Sequence, residues 1–244
     1  MCIFSRNVSS VSDTKIFARH SVNSGQFLVY SMAYEASSEL AMILPLPTPT
    51  SPSEDAVRFI NLCEYPRFFE DMSRGFPQPS MHLQAAGVPT DSVLTVYEVG
   101  SFEASFVPQQ HDFVRLDDRF RLPDPVWDQL PTYRDYGFAV FKLKPDAGHV
   151  HPMAFEFHRR DAAILFFPTV HVHQGQVEPK AHFDHVLYCQ SHIQHEGWIS
   201  TLQPAGHFMD IELTQEIVDP EALIQTIRFH GSHTNEDVVV NDAA

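Results

Sequence analysis

The sequence predicts a mainly β (α+β) fold: an antiparallel sandwich or barrel with a few short peripheral helices. Apolar and aromatic runs of strand length recur between prolines and turn residues, and helix-start signals are few. At 244 residues, the chain has a length at which all-β domains are often single. We therefore predict one β-rich domain over residues 1–235 and a loosely ordered tail at 236–244.

The first elements are strands within residues 14–47. In QFLVYSMAYE both alternating faces are largely apolar, and LAMILPLP follows after a polar break. Two such runs with a short polar connection are typical of a β-hairpin, which the prolines from Pro45 onwards end. Further strand-like runs follow at 92–108, 136–145, 151–160, 163–173 and 185–192.

Short helices are predicted where a capping residue or a proline precedes apolar residues. The predicted helical segments begin at Ser53, Pro66, Asp124 and Pro220. Gly75 ends the second of them, and Gly231 takes the position after the last. Residues 76–91 show weak periodicity and are predicted to be a loop.

The formal net charge of −15 argues against nucleic acid and anionic membrane surfaces as partners, because both need a basic footprint. The sequence begins without a secretory signal, and no apolar run reaches transmembrane length. Cys2, Cys63 and Cys189 are too few and too scattered for a disulfide framework. These features predict a soluble, cytoplasmic protein.

Histidines concentrate between His149 and His195, a stretch that holds nine of the fifteen in the chain. Two His-x-His pairs lie in it, and side chains two apart on a strand point to the same side of a sheet. Imidazole is the commonest protein ligand for transition metals. The predicted metal ligands are His149, His151, His171, His173, His182 and His185. The alternative is that the sheet is merely rich in histidine and binds no metal ion.

These ligands favour copper or zinc, with iron as a third option. If the chain is an enzyme, metal-dependent oxidation of an unknown small substrate is favoured over hydrolysis by a zinc-bound water. A non-catalytic metal-binding module is an alternative of a different class. The sequence leaves the oligomeric state open.

Cys2 supports a second alternative. Removal of Met1 would leave a terminal cysteine whose α-amino group, with a pKa of about 8, is a general base for its thiol. This arrangement is typical of N-terminal-nucleophile amidohydrolases. No oxyanion-hole signature accompanies it, and the motif is not specific, because any chain that begins Met-Cys has it.

Four pieces of the chain together resemble an uncharacterised bacterial protein family with an N-terminal cysteine and a Leu-Pro-Leu-Pro hairpin. They are Cys2, QFLVYSMAYEASSELAMILPLPTP, DAVRFINL and YGFAVFKLKP. The resemblance covers about the first two-thirds of the chain and implies one continuous domain. It implies no mechanism.

Overall fold

The structure is a computed structural model that describes residues 3–22, 24–77, 102–145, 148–172 and 175–243, without the side chains of residues 148 and 149. The strands in these ranges are β1 (Ile3–Phe4), β2 (Ser10–His20), β3 (Gly25–Glu35), β4 (Leu40–Leu46), β5 (Val57–Asn61), β6 (Phe102–Val107), β7 (Gly137–Leu143), β8 (Gly148–His149), β9 (Met153–His158), β10 (Ile164–Phe167), β11 (Lys180–Gln190), β12 (Ile199–Ser200), β13 (Gln225–Thr234) and β14 (Val238–Asn241). The same ranges contain the α-helices α1 (Phe68–Arg74) and α2 (Asp124–Trp127), and 3-10 helices at Gln110–Arg115, Asp118–Phe120, Pro131–Tyr133, Ala205–His207 and Glu212–Thr214. Strands dominate, so the predicted mainly β class is confirmed. No helix in the described ranges has the length and apolar character needed to cross a bilayer.

The described strands form two large sheets and one small ribbon. The larger sheet has the order β12-β13-β11-β2-β3-β9-β5, with β8 also paired to β3. The second sheet has the order β1-β4-β7-β6, and β10 pairs with β14 in the ribbon. Neighbouring strands run antiparallel except β2 and β11, which are parallel.

The main hydrophobic core lies between the two large sheets. Leu28 and Phe155 enter it from the larger sheet, and Met42 and Phe141 enter it from the second. The rings of Phe141 and Phe155 meet across the sheets with centroids 5.9 Å apart. Each such buried side chain stabilises the fold by about 1.5–3 kcal/mol, so the sheets form a sandwich held by apolar burial.

The outer faces of the sandwich are covered as well. Over the larger sheet, Phe68 of α1 packs on Phe17 with ring centroids 5.9 Å apart. Over the second sheet, Trp127 of α2 packs on Phe138 at 5.2 Å. Strands buried on both faces are apolar at successive positions, which explains the pattern of QFLVYSMAYE.

The predicted hairpin of β3 with β4 is wrong. β3 pairs with β2, β8 and β9 in the larger sheet, whereas β4 pairs with β1 and β7 in the second. The chain therefore crosses between the sheets at residues 36–39. Because both strands are apolar on two faces, their periodicity carries no information about which strand pairs with which.

Two of the predicted helices are strands, β5 and β13. The local turn signal is genuine, since the Ala56 N–H donates to the Ser53 carbonyl at 3.1 Å. The ladders of β5 with β9 and of β13 with β11 override it through long-range packing. The helices predicted to begin at Pro66 and Asp124 are confirmed as α1 and α2.

The chain after residue 236 differs from the predicted loose tail. β14 pairs with β10, and its residues Val238 and Val240 pack against the main core. Beyond it, the Asp242 N–H donates to the Ala163 carbonyl at 2.7 Å. The three consecutive valines supply a strand that the polar residues around them conceal in the sequence.

Candidate functional site

Those predicted metal ligands whose side chains the structure describes do not converge on one point. His173 and Cys2 lie outside the described residues, as does the side chain of His149. The two His-x-His pairs were predicted to sit on strands, but β8 ends at His149 and β10 ends at Phe167. His151 and His171 therefore lie in connecting segments, where the alternation of strand side chains does not apply.

His171 and His185 are brought together in the interior. Their rings stack with centroids 5.2 Å apart, and Phe183 lies against both, 4.4 Å from His171 and 5.0 Å from His185. Both histidines are buried, and burial together with the His171 ring lowers the pKa of His185 to about 2. The three side chains pack as an aromatic cluster in which the His185 ring is neutral.

His151 and His182 have other neighbours. The His151 ring packs on Phe102 at 4.5 Å, and burial lowers its pKa. His182 is exposed and its ring meets His230 edge-on at 5.6 Å. In the part of the chain that the structure describes, no group of three His, Cys, Asp or Glu side chains is placed to hold a metal ion.

One close histidine pair was not predicted. The Nε2 atoms of His20 and His192 lie 3.1 Å apart, and the His20 Nδ1 lies 3.3 Å from the buried carboxylate of Asp242. The parallel pairing of β2 with β11 creates this contact. A separation of 172 residues hides it from any local pattern.

A polar clamp fixes the segment after β10. Asp237 accepts hydrogen bonds from the Tyr133 hydroxyl at 2.6 Å and from the backbone N–H groups of Thr169 and Val170 at 2.8 and 3.1 Å. Desolvation raises the pKa of this carboxyl to about 6, against the effect of its three donors. Asn235 adds a reciprocal pair of hydrogen bonds to the backbone of His171.

The chain before residues 78–101 is anchored by α1. The buried Asp71 accepts a hydrogen bond from Tyr65 at 3.0 Å and pairs with Arg74 at 2.7 Å. The Asp210 N–H donates to the same Tyr65 hydroxyl at 2.9 Å. Burial raises the pKa of Tyr65 to about 12, so the phenol keeps its proton. These bonds fix α1 to the cover of the larger sheet.

The chain after residues 78–101 is anchored by β6. Its ladder with β7 runs from Phe102 to Val107. The Phe102 ring packs on Phe141 at 5.4 Å, and Glu103 pairs with Lys142 at 2.9 Å. The described elements that flank residues 78–101 are therefore attached to the sandwich, α1 at the larger sheet and β6 in the second. The loop predicted for residues 76–91 lies outside the described residues from residue 78 onwards.

Comparison with solved structures identifies the fold. The chain matches baculovirus P35 over 100% of both chains, with a TM-score of 0.57 and 13% identity. It also matches a mutated baculovirus P35 after caspase cleavage, with a TM-score of 0.53 and 13% identity over 95% of this chain and 100% of that one. A P35 chain from a caspase-8/P35 complex matches at a TM-score of 0.48 and 11% identity, over 96% and 97% of the two chains.

No family model matches the chain, so the resemblance to a bacterial family stays a prediction. The prediction of a histidine-ligated metal oxidoreductase is wrong. The described histidines do not converge on a common point, and the fold is that of P35. The error came from treating the two His-x-His pairs as strand positions. Since Cys2 lies outside the described residues, its role as a nucleophile stays a prediction.

Proposed function

We propose that this chain is a protein inhibitor of a caspase-type cysteine protease, which cuts it after Asp91 and does not release it. The proposal is supported by the likeness in fold, over 95% of this chain, to a mutated P35 that was determined after caspase cleavage. The partner is then a protein, in place of the small-molecule substrate predicted from the sequence. The predicted cytoplasmic location stays a prediction.

The distribution of aspartates supports residue 91 as the cut site. Caspases hydrolyse the bond that follows an aspartate, using a cysteine thiolate as nucleophile. Aspartates of the described chain lie in strands, in helices or in the short connections between such elements, and Asp71 and Asp242 are buried. Asp91 and Asp146 are the two aspartates outside the described ranges. Residues 144–147 join β7 to β8 and are too few to fill a protease cleft, whereas Asp91 lies within the 24 residues from 78 to 101.

The sheet topology distinguishes the chain from an ordinary substrate, whose fragments separate after the cut. A cut at residue 91 divides the chain into a part with β1 to β5 and a part with β6 to β14. In the larger sheet the two parts alternate: β11 pairs with β2, β3 with β9, and β9 with β5. In the second sheet β4 pairs with β7 across the same division. The fragments cannot separate without dismantling both sheets, so the cut chain stays together as one folded particle.

Mapping of the cut tests the proposed site. Incubation with active caspase-8 is expected to give fragments 1–91 and 92–244, whose masses sum to the intact chain plus one water. The Asp91→Ala variant is expected to remain whole, because the carboxylate that the protease recognises is gone. Asp146→Ala is the matched control and is expected to be cut as the wild type is. Cutting of Asp91→Ala at wild-type rate would refute the assignment.

Cohesion of the cut chain is a separate prediction. The two fragments are expected to co-elute as one particle in native size-exclusion chromatography and to separate in guanidinium chloride. The main core, which both fragments share, accounts for this behaviour. Elution of two separate fragments in native buffer would make the chain an ordinary substrate and end the inhibitor proposal.

A further inference from the structure

Two histidines meet where the parallel ladder of β2 with β11 ends. The ladder stops one residue before His20. Just beyond it, the rings of His20 and His192 lie with centroids 4.5 Å apart, and their Nε2 atoms are 3.1 Å from each other. His20 precedes Asp91 in the chain and His192 follows it. This histidine pair therefore joins the same two parts of the chain that the ladder joins.

The short distance limits how many protons the histidine pair can hold. A neutral imidazole carries a proton on one ring nitrogen, whereas a charged imidazole carries protons on both. At 3.1 Å, one Nε2 must carry a proton that the other Nε2 accepts. The pair in contact therefore has room for one charged ring and one neutral ring. Two charged rings would bring two N–H groups and two positive charges against each other.

A buried carboxylate lies on the other side of His20. The Asp242 side chain is 2% exposed, and its Oδ2 lies 3.3 Å from the His20 Nδ1 and 3.8 Å from the Arg159 Nη1. The carboxylate favours a proton on the His20 Nδ1, because the negative charge attracts it. The His20 Nε2 is then free of a proton and accepts from the Nε2–H of His192.

The charged and titratable groups around the pair come from several strands or their ends. Those that act on His20 are Asp242, His192, Arg19 and Arg159. Asp242 in turn acts on His195 and Cys189. Burial lowers the pKa of His20, and the Asp242 carboxylate opposes this lowering. His20 is therefore uncharged at neutral pH and takes up a proton only in acid.

We propose that the histidine pair is a proton-sensitive clip, which is closed at neutral pH and opens in acid when both rings become charged. Opening moves the exposed His192 ring away from the end of β2. The connection after it stays in place, because Gln225 donates to the Ile193 carbonyl at 2.7 Å and accepts from the His195 N–H at 2.9 Å. The clip therefore changes the end of one contact between the two parts of the chain and leaves both sheets intact.

NMR of the imidazole rings in the uncut chain tests the clip. At neutral pH we expect a proton on Nδ1 of His20, a proton on Nε2 of His192 and a nuclear Overhauser effect between the two rings. Upon acidification the pair is expected to take up its two protons in steps that lie about one pH unit or more apart. The Overhauser effect is expected to disappear at the second step. Its persistence after both rings are charged would overturn the proposal.

The His192→Gln variant removes the second charge. Its amide can donate to His20 but takes up no proton. His20 is then expected to titrate in one step, at a pH above the second step of the wild-type pair, because no second charge opposes it. His207→Gln, at an exposed position outside the cluster, is the control and is expected to leave the titration of His20 unchanged. Identical titration of His20 in the wild type and in His192→Gln would refute the clip.

Cohesion of the cut chain is a second readout, which rests on the proposed function. At neutral pH the fragments of His192→Ala are expected to separate at a lower guanidinium chloride concentration than those of the wild type. In acid, where the clip is open, this difference is expected to vanish, and its persistence there would contradict the clip. Absence of any cut after Asp91 would refute the proposed function and leave the ring titration to decide on the clip.

Discussion

Lowering the pH from 7 to 4.5 is expected to reduce the free energy of unfolding by about 3 kcal/mol through His185 alone. The pKa of His185 is lowered from 6.5 to about 2 in the folded protein, chiefly by burial. Below pH 6.5 the His185 imidazole binds a proton in the unfolded chain but not in the folded chain. The stabilisation is therefore complete above pH 6.5 and is lost as the pH falls towards the folded pKa.

Chemical denaturation across this pH range measures the effect. The His185→Phe variant removes the titrating group and is expected to lose the part of the acid-dependent loss of stability that His185 causes, whatever its stability at pH 7. His182→Gln, an exposed position on the same strand, is the control and is expected to keep the wild-type slope. An unchanged slope in His185→Phe would mean that this imidazole already accepts a proton in the fold.

Asp237 is expected to affect the free energy of unfolding with a pH dependence opposite to that of His185, which its replacement by asparagine tests. The pKa of this carboxyl is raised from 3.8 to about 6, mainly by desolvation. The contribution of the protonated carboxyl to folding stability is therefore fully present below pH 3.8 and is lost as the pH rises through 6. The difference of about two units corresponds to up to about 3 kcal/mol. Asp237 keeps some contact with solvent, which makes this value an upper limit.

Asparagine keeps the clamp without the charge. Its side-chain carbonyl accepts from Thr169 and Val170, and its amide donates to the Tyr133 hydroxyl. Asp237→Asn is therefore expected to gain stability over the wild type between pH 4 and pH 7, by thermal or chemical unfolding. Glu196→Gln, at an exposed position that is not among the groups acting on the Asp237 carboxyl, is the control and is expected to show no such gain. A loss of stability in Asp237→Asn that grows with pH would show that the three donors stabilise the carboxylate beyond its desolvation.

The two effects oppose each other between pH 4 and 6.5. In the wild type the contributions of His185 and Asp237 to the pH dependence of stability partly cancel. Each variant removes one contribution, so that the other can be measured. His185→Phe is accordingly expected to become more stable upon mild acidification, to which reduced self-repulsion in this acidic chain also contributes. The difference in stability between wild type and variant at each pH isolates the contribution of His185.

The class of the fold was accessible from the sequence because it depends on local runs. Continuous apolar segments between prolines predict strands. The helix α2 begins at the predicted Asp124, and α1 begins two residues after the predicted Pro66. The partners of the strands were not accessible. β3 and β4 have equivalent patterns, and their assignment to different sheets is settled by packing across the core.

The candidate site illustrates the same limit. The spacing of His149, His151, His171 and His173 predicts convergence only if the residues lie on strands, and the strands end before them or between them. The single aspartate at residue 91 carries no pattern of its own. The role proposed for Asp91 depends on how the strands before and after it alternate in the sheets. A short stretch of sequence does not reveal that strand order.

Titration of protease activity tests the central claim most directly. A fixed amount of caspase-8, assayed with a small fluorogenic peptide, is mixed with increasing amounts of the intact chain. Activity is expected to fall in proportion and to end near one chain per active site, with the cut chain co-eluting with the protease, whereas Asp91→Ala leaves activity unchanged. Full protease activity in the presence of excess cut chain would contradict the account.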